Sequence, residues 1–349
     1  MRIAVLHPQT PFVRGGAETH AESVVRALRE NGHDAEIVSA PFKWYPAPEL
    51  VHQIGMWRSF DLSESAGVGI DMVIALKFPA YLVKHDNKVV WLIHQHRTAY
   101  ELWDHPVFAD LSRQPDGPHV RELIHRADRA GLGEARRIFT NSANVKRRLE
   151  RSLGLGGEVL YHRSPMTSRL LDEEEGEIGD YVLYPSRFDR LKRQDLLIGA
   201  MRNVRSGVRA ILVGAGPDEA GIRRQIADAK LGTRVDVRTA VSDDELAELY
   251  KRALAVYYGP FDEDFGYVTL EAFAAARPVV TLSDSGGPLE FVRSGETGIV
   301  AEPNADAIAQ ALDRLHGDSA LAEKMGRAGR ETVLDLVPDW PSIVDRLLS

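Results

Sequence analysis

Short apolar runs alternate with amphipathic helical stretches along most of this chain, and the alternation starts afresh after an acidic interruption near the middle. Ile3–Leu6 reads as a buried strand ending at His7. Ala21, Val24, Val25 and Leu28 then recur at i, i+3, i+4 and i+7, a helix closed by Asn31-Gly32. Ala35–Val38, Val89–Ile93 and Ile138–Thr140 are further strands. Strands separated by helices in this way form βαβ units, whose strands lie parallel in a doubly wound sheet. The stretch from Pro41 to Ala66, rich in Pro, Trp and polar residues, has no clean period and is expected to be irregular.

Leu171-Asp172-Glu173-Glu174-Glu175-Gly176-Glu177 carries no core-forming pattern and reads as a solvated linker. Beyond it, Tyr181–Tyr184, Ala210–Val213, Val235–Val237, Leu254–Tyr258 and Val279–Leu282 are strands. Helices separate them, such as Asp243–Arg252, where Leu246, Leu249, Tyr250 and Ala253 share a face. A closing helix around Ala328–Leu336 precedes Pro338-Asp339-Trp340-Pro341 and a last amphipathic piece, Ile343–Leu348. A length of 349 residues suits two domains of ordinary size. The expectation is an α/β protein of two Rossmann-like domains, residues 1–165 and 178–334, joined by a linker at 166–177.

Hydrophobic content of 44% and charged content of 27% are those of a soluble globular protein. With no cysteine the chain has no disulfide framework, thiol nucleophile or thiolate zinc site, which fits a reducing cytoplasm. Ile3–Leu6 is the only apolar run at the N-terminus and reads as a strand, not a signal peptide. No stretch approaches the roughly 20 apolar residues of a membrane span. A net charge of −8 argues against a nucleic-acid partner. Arg136, Arg137, Lys146, Arg147, Arg148 and Arg151 nevertheless cluster. They form either a solvated helix face or a surface for peripheral contact with an anionic membrane.

The chemistry concentrates at Glu263 and Glu271, which flank a Gly-containing loop and the start of an apolar helix, Val268 to Ala276. A carboxylate in such a helix is costly unless it is hydrogen-bonded, and the helix start itself offers N–H groups and a positive dipole end to phosphate. Two hydroxyl-binding acids around an anion-binding helix start suit a ligand that is part sugar, part diphosphate. Arg187 and Lys192 could clamp a diphosphate, although the four cations of Arg187–Arg193 also read as ordinary surface charge. Gly15-Gly16 and Gly286-Gly287 can bring backbone N–H groups to a phosphate, or serve as plain connectors. Gly214-Ala215-Gly216 lacks the third glycine of a dinucleotide fingerprint and reads as a tight strand–helix turn. His94 closes the strand Val89–Ile93; His94-Gln95-His96 has no third ligand at a recognisable spacing and is not read as a metal site. Several of these residues follow strands, which predicts a ligand cleft beyond the carboxyl ends of the sheets.

The order Gly15-Gly16-Ala17-Glu18, Arg187-x4-Lys192, Leu212–Gly216, Glu263-x7-Glu271 and Gly286-Gly287-Pro288-Leu289-Glu290 resembles the retaining glycosyltransferases of GT-B architecture, family 4 in particular, across nearly the whole chain. Asp264 stands where the family often has Gly, and His162-Arg163-Ser164-Pro165 replaces a more usual Pro-rich stretch. The resemblance implies two domains facing each other across a cleft, with residues 335–349 returning to the first. It assigns the transferred sugar to Glu263, aided by the backbone of Phe265, Gly266 and Tyr267, and the ribose to Glu271. It gives the departing diphosphate to Arg187 and Lys192, the distal phosphate to Gly286 and Gly287, and the acceptor side of the sugar to His94. Gly15 and Gly16 complete the donor contacts. No metal is implied: Asp262-Glu263-Asp264 has the form of a metal-binding D-x-D triplet, but one that belongs to the other large glycosyltransferase fold class. The partners implied are a nucleoside-diphosphate sugar, of GDP-mannose or UDP-hexose type, and a saccharide, lipid-linked or small-molecule acceptor, with base contacts around Thr239 to Ser242. Alternatives are another GT-B enzyme such as a nucleotide-sugar epimerase, an NAD-dependent oxidoreductase, or a non-catalytic sugar-binding protein.

Overall fold

The computed structural model describes residues 1–349. The chain divides into two compact units, Met1–His162 with Asp339–Ser349, and Arg163–Pro338.

The first unit begins with β1 (Arg2–Gln9), α1 (Gly16–Glu30), β2 (Asp34–Pro41) and α2 (Pro48–Ser59). A small hairpin, β3 (Glu64–Ser65) and β4 (Val68–Gly69), leads to β5 (Met72–Ala75) and β6 (Lys88–Leu92). Helix α3 (Gly117–Gly133), β7 (Arg137–Thr140), α4 (Ala143–Leu153) and β8 (Glu158–Val159) follow. Six parallel strands lie in the order β2-β1-β5-β6-β7-β8. The two-residue period of β1 sends Ala4 and Leu6 to one core and Ile3 and Val5 to another on the opposite face. Because both faces are covered, the strands read as continuous apolar runs.

The second unit contains α5 (Pro165–Asp172), β9 (Tyr181–Pro185), α6 (Gln194–Met201), β10 (Arg209–Val213) and α7 (Glu219–Asp228). It continues through β11 (Val235–Arg238), α8 (Asp243–Lys251), β12 (Ala255–Tyr257), α9 (Tyr267–Ala274) and β13 (Val279–Leu282). Strand β14 (Gly298–Ala301), α10 (Ala305–Gly317) and α11 (Ser319–Leu336) complete it. Its six parallel strands run β11-β10-β9-β12-β13-β14. The last helix, α12 (Trp340–Leu348), belongs to the first unit, where Ile343, Val344 and Leu347 join the same core as α1.

Three sequence expectations need correction. The stretch Pro41 to Ala66 is not wholly irregular: α2 buries Leu50, Gln53 and Trp57 at i, i+3 and i+7, with Pro48 in its first turn. The buried polar Gln53 hides that stripe from a hydrophobic count. The linker placed at 166–177 is half helix, since Ser164 caps α5 and Leu170 is buried. The acidic run after it is tied down, Glu173 to Arg169 and Lys251 and Glu175 to Arg327. Strands β5 and β14, four residues each, went unread.

Candidate active site

In each sheet one pair of neighbouring strands sends its onward connections in opposite directions, and ligands of such folds bind beyond the carboxyl ends at that switch point. In the second unit the pair is β9 and β12. The loop after β9 carries Arg187 and Lys192; the loop after β12 carries Glu263.

Lys192 donates to the Glu263 carboxylate, and its ammonium lies 3.4 Å from the Tyr258 hydroxyl. Both charged side chains are about four-fifths buried, with 22% and 18% exposure. Arg187 is more open, 45% exposed, and pairs at 3.2 Å with Asp189. Asp189 also accepts from the Leu191 N–H at 3.0 Å, which shapes the turn that delivers Lys192. Arg193, in a left-handed conformation (φ 55°), forks onto Asp284 at 2.6 and 2.8 Å. The same guanidinium donates to the carbonyls of Gly259 and Pro260, so it fastens the loop that leads to Glu263. Sequence reading treated Arg193 only as one of four clustered cations.

Glu263 is also held through its backbone, with its N–H on Ser285 O at 2.9 Å and its carbonyl accepting from Gly287 N–H at 2.8 Å. A side chain at Gly287 would sit 2.7 Å from the carbonyls of Asp264 and Phe265. Gly266, at φ 88°, opens α9 with no side-chain cap, leaving Phe265, Gly266 and Tyr267 at the uncapped helix start. Gly214 and Gly216 behave as the tight turn expected, because a Cβ at either would meet the carbonyl of Ser186 or Phe188 at 2.0 and 2.2 Å. Ser242 forms a capping box with Glu245, which takes its backbone N–H at 2.9 Å.

Glu271 lies one turn into α9. The Ser164 hydroxyl donates to one carboxylate oxygen and the Tyr250 hydroxyl to the other, both at 2.7 Å. Burial raises the Glu271 pKa above its ordinary value, against the two hydroxyl bonds. Burial also raises that of Tyr250 well above its own, so its hydroxyl remains a donor. Neither hydroxyl was singled out from sequence.

Gly15, Gly16 and His94 lie in the first unit. Gly15 caps α1 in extended backbone with no side-chain bond. Just inside that helix, Glu18 meets His7 Nε2 at 3.1 Å and Lys77 at 3.8 Å, at the β1–β5 switch point. Burial opposes charge on Glu18, but the His7 bond and the Lys77 charge outweigh it and hold its pKa below the ordinary value. This trio was also missed, because only the fold unites residues 7, 18 and 77. His94 follows β6, with Nδ1 2.7 Å from the Gln95 carbonyl, which makes Nδ1 the protonated nitrogen. His96 binds Thr98 at 3.0 Å, and burial pushes its pKa down to about 3. No three His, Asp or Glu side chains are grouped as metal ligands. In the basic region Arg137 pairs with Glu158, Lys146 with Glu150 and Arg148 with Glu101, while Arg136, Arg147 and Arg151 are exposed. No helix is long and apolar enough to cross a membrane.

The profile of the group 1 glycosyl transferases matches residues 172–332, inside the second unit. The chain is 33% identical over 284 residues to the GDP-mannose-dependent alpha-(1-6)-phosphatidylinositol monomannoside mannosyltransferase of Mycobacterium tuberculosis, covering 77% of this chain and 71% of that protein. It is 28% identical over 168 residues to the alpha-1,3/1,6-mannosyltransferase ALG2 of Homo sapiens, covering 44% of this chain and 40% of that one. The match thus spans less than half the length of the human relative. Sucrose-phosphate synthase from Thermosynechococcus elongatus shares the fold at TM-score 0.79 and 20% identity, over 99% of this chain and 97% of that one. Anabaena HepE, solved with UDP and glucose, does so at 0.69 and 17%, over 100% and 98%. The chain belongs to the group 1 glycosyl transferases, and its two six-stranded parallel sheets are those of the GT-B fold.

Proposed function

We propose that this protein transfers a hexose from a nucleoside-diphosphate sugar to a hydroxyl acceptor, with retention at the anomeric carbon and no divalent cation, as a member of family 4. The observation that carries the reading is the Lys192–Glu263 pair at the β9–β12 switch point, with Arg187 on the same loop. A mostly buried cation and a mostly buried acid side by side suit a ligand with an anionic end and a hydroxyl-bearing end. The acceptor oxygen bonds to the anomeric carbon as the bond to the diphosphate oxygen breaks, and the acceptor's proton passes to that departing oxygen. Arg187 and Lys192 stabilise the charge that grows there. Glu263 holds sugar hydroxyls, with the backbone of Phe265, Gly266 and Tyr267 beside it. Gly286 offers its N–H to the distal phosphate, while Gly287, whose N–H is bonded to the Glu263 carbonyl, holds the loop beside it. On the first unit, Gly15 and Gly16 serve phosphate and His94 the sugar, as the family resemblance assigns them.

Metal independence rests on the family resemblance, in which Glu263, here paired with Lys192, serves the sugar and not a cation. GDP-mannose is favoured by the mycobacterial relative's name and UDP-glucose by the ligands of HepE. The setting would be the cytoplasm, in glycan or glycoconjugate synthesis. For a lipid-linked acceptor, the exposed Arg136, Arg147 and Arg151 are the cations to meet an anionic membrane face.

Transfer from GDP-mannose and UDP-glucose, followed by NMR of the product's anomeric proton with and without excess EDTA, tests the reading. An inverted product rules out retention, and turnover that stops in EDTA rules out metal independence.

A further inference from the structure

Ser164 belongs to the stretch His162-Arg163-Ser164-Pro165, which departs from the resembled family, and no role in transfer has yet been given to it. It is the second residue of the second unit and only 2% exposed. Its hydroxyl oxygen accepts from the Thr167 N–H at 3.0 Å and so caps α5. Its proton goes to Glu271 at 2.7 Å. Beside it, Arg163 donates twice to the Val337 carbonyl, at 2.8 and 3.2 Å, which fixes the backbone that presents the serine. From the other side the fully buried Tyr250 donates to the second Glu271 oxygen.

We propose that Ser164 and Tyr250 are positioning residues that make Glu271 selective for a ribose diol, an inference that rests on Glu271 as the ribose acid. An ionised carboxylate has about four acceptor directions on its two oxygens. Each hydroxyl uses one direction on its own oxygen, which leaves one on each for the ribose 2′- and 3′-hydroxyls. The two protein donors also prevent the carboxylate from rotating, so both remaining directions stay aimed together. They offset part of the desolvation that the buried carboxylate suffers, and keep it an acceptor. Without either donor the carboxylate can turn or take up a proton, and a diol is no longer distinguished from a single hydroxyl.

The test measures dissociation constants of UDP against 2′-deoxy-UDP, and of GDP against 2′-deoxy-GDP, by calorimetry on the full chain. Wild type should prefer the ribonucleotide of the base it binds by about tenfold or more. Ser164→Ala and Tyr250→Phe should reduce the preference to within about threefold, with deoxynucleotide affinity nearly unchanged. Ser164→Thr, which keeps a hydroxyl, should restore it. The deoxynucleotide serves as the control for folding, because Ser164→Ala also removes a helix cap. If both variants keep the wild-type preference, or weaken the two nucleotides equally, the positioning role is overturned while the ribose acid stands. Wild type that fails to distinguish the two forms, or binds neither base, overturns the ribose reading and this inference with it.

Discussion

Lys192 and Glu263, separated by 71 positions, neutralise one another at the carboxyl edge of the second sheet. The lysine arrives on the turn shaped by Asp189, and the glutamate on the loop fastened by Arg193 and Ser285. Since neither side chain is fully exposed, removing one leaves the other charge poorly solvated.

In the proposed reaction the two serve opposite ends of one scissile bond, so Glu263→Ala and Lys192→Ala should each lower kcat by roughly ten- to a hundredfold. The double variant should lose less than the sum of the two in free energy, since each single variant already strands its partner. A double-mutant cycle on donor turnover checks this. Strictly additive losses would mean the pair does not function as a unit.

Arg187 gives the opposite balance of stability and activity. Its exposed ion pair with Asp189 is worth only about 0–1 kcal/mol, so Arg187→Ala should leave thermal stability nearly unchanged. Turnover should fall by roughly tenfold or more, because in the proposed reaction Arg187 stabilises the charge growing on the departing diphosphate. Arg187→Lys should recover only part of it, as a point charge cannot bind an oxygen pair in two places. Melting curves beside kinetics separate the effects. A variant with lost stability and intact turnover would place Arg187 in the scaffold.

In the first unit, Asp128 is 0% exposed and accepts from Tyr100 at 2.7 Å on one oxygen, while its other oxygen has no partner. Burial pushes its pKa up to about 7, despite the Tyr100 and Gln95 bonds to the first oxygen that favour the charged form. The folded protein therefore holds this proton more tightly than the unfolded chain does. Between about pH 4, the unfolded value, and pH 7 the contribution of Asp128 to stability falls as pH rises, and it stays low above that. Asp128→Asn removes the ionisation. Relative to wild type it should gain stability on going from pH 5 to pH 8, by of the order of a few kcal/mol. Melting temperatures across that range decide it; a constant offset between the two proteins would show that Asp128 is ionised throughout.

Most strands covered on both sheet faces were legible in the sequence as apolar runs, β5 being an exception. Val279–Leu282 was read to its exact bounds, and Tyr181–Tyr184 to within one residue. Helix α2 was hidden by its buried Gln53, and α5 because three acids follow directly after it. The acids and cations of the site stood out through their spacing. Their partners did not. Ser164 bonds Glu271 across 107 positions and Arg193 bonds Asp284 across 91, and a local pattern carries no sign of either. Ser164 caps α5, and nothing in the sequence shows that its proton goes to Glu271.

Gly287 tests whether the Glu263 loop needs its close backbone packing. The loops after β12 and β13 touch main chain to main chain, with Glu263 bridged to Gly286 and its carbonyl bonded to Gly287 N–H at 2.8 Å. A methyl group at Gly287 would lie 2.7 Å from two carbonyl oxygens, at Asp264 and Phe265, and backbone cannot swing aside as a side chain can. Gly287→Ala should thus push the two loops apart, moving Glu263 and the start of α9 together. The fold should survive, because the strands themselves are untouched, at a cost in the range of about 1–3 kcal/mol for an overpacked site. Turnover should fall by about a hundredfold, since a displacement near 1 Å at the reacting groups is enough for that. Gly295→Ala provides the contrast. Unlike Gly287 it has positive φ, 86°, but no atom lies within 4 Å of its Cβ position, so it should show backbone strain without the kinetic loss. Equal turnover in the two variants would mean the contact of Gly287 with Asp264 and Phe265 has no part in placing Glu263.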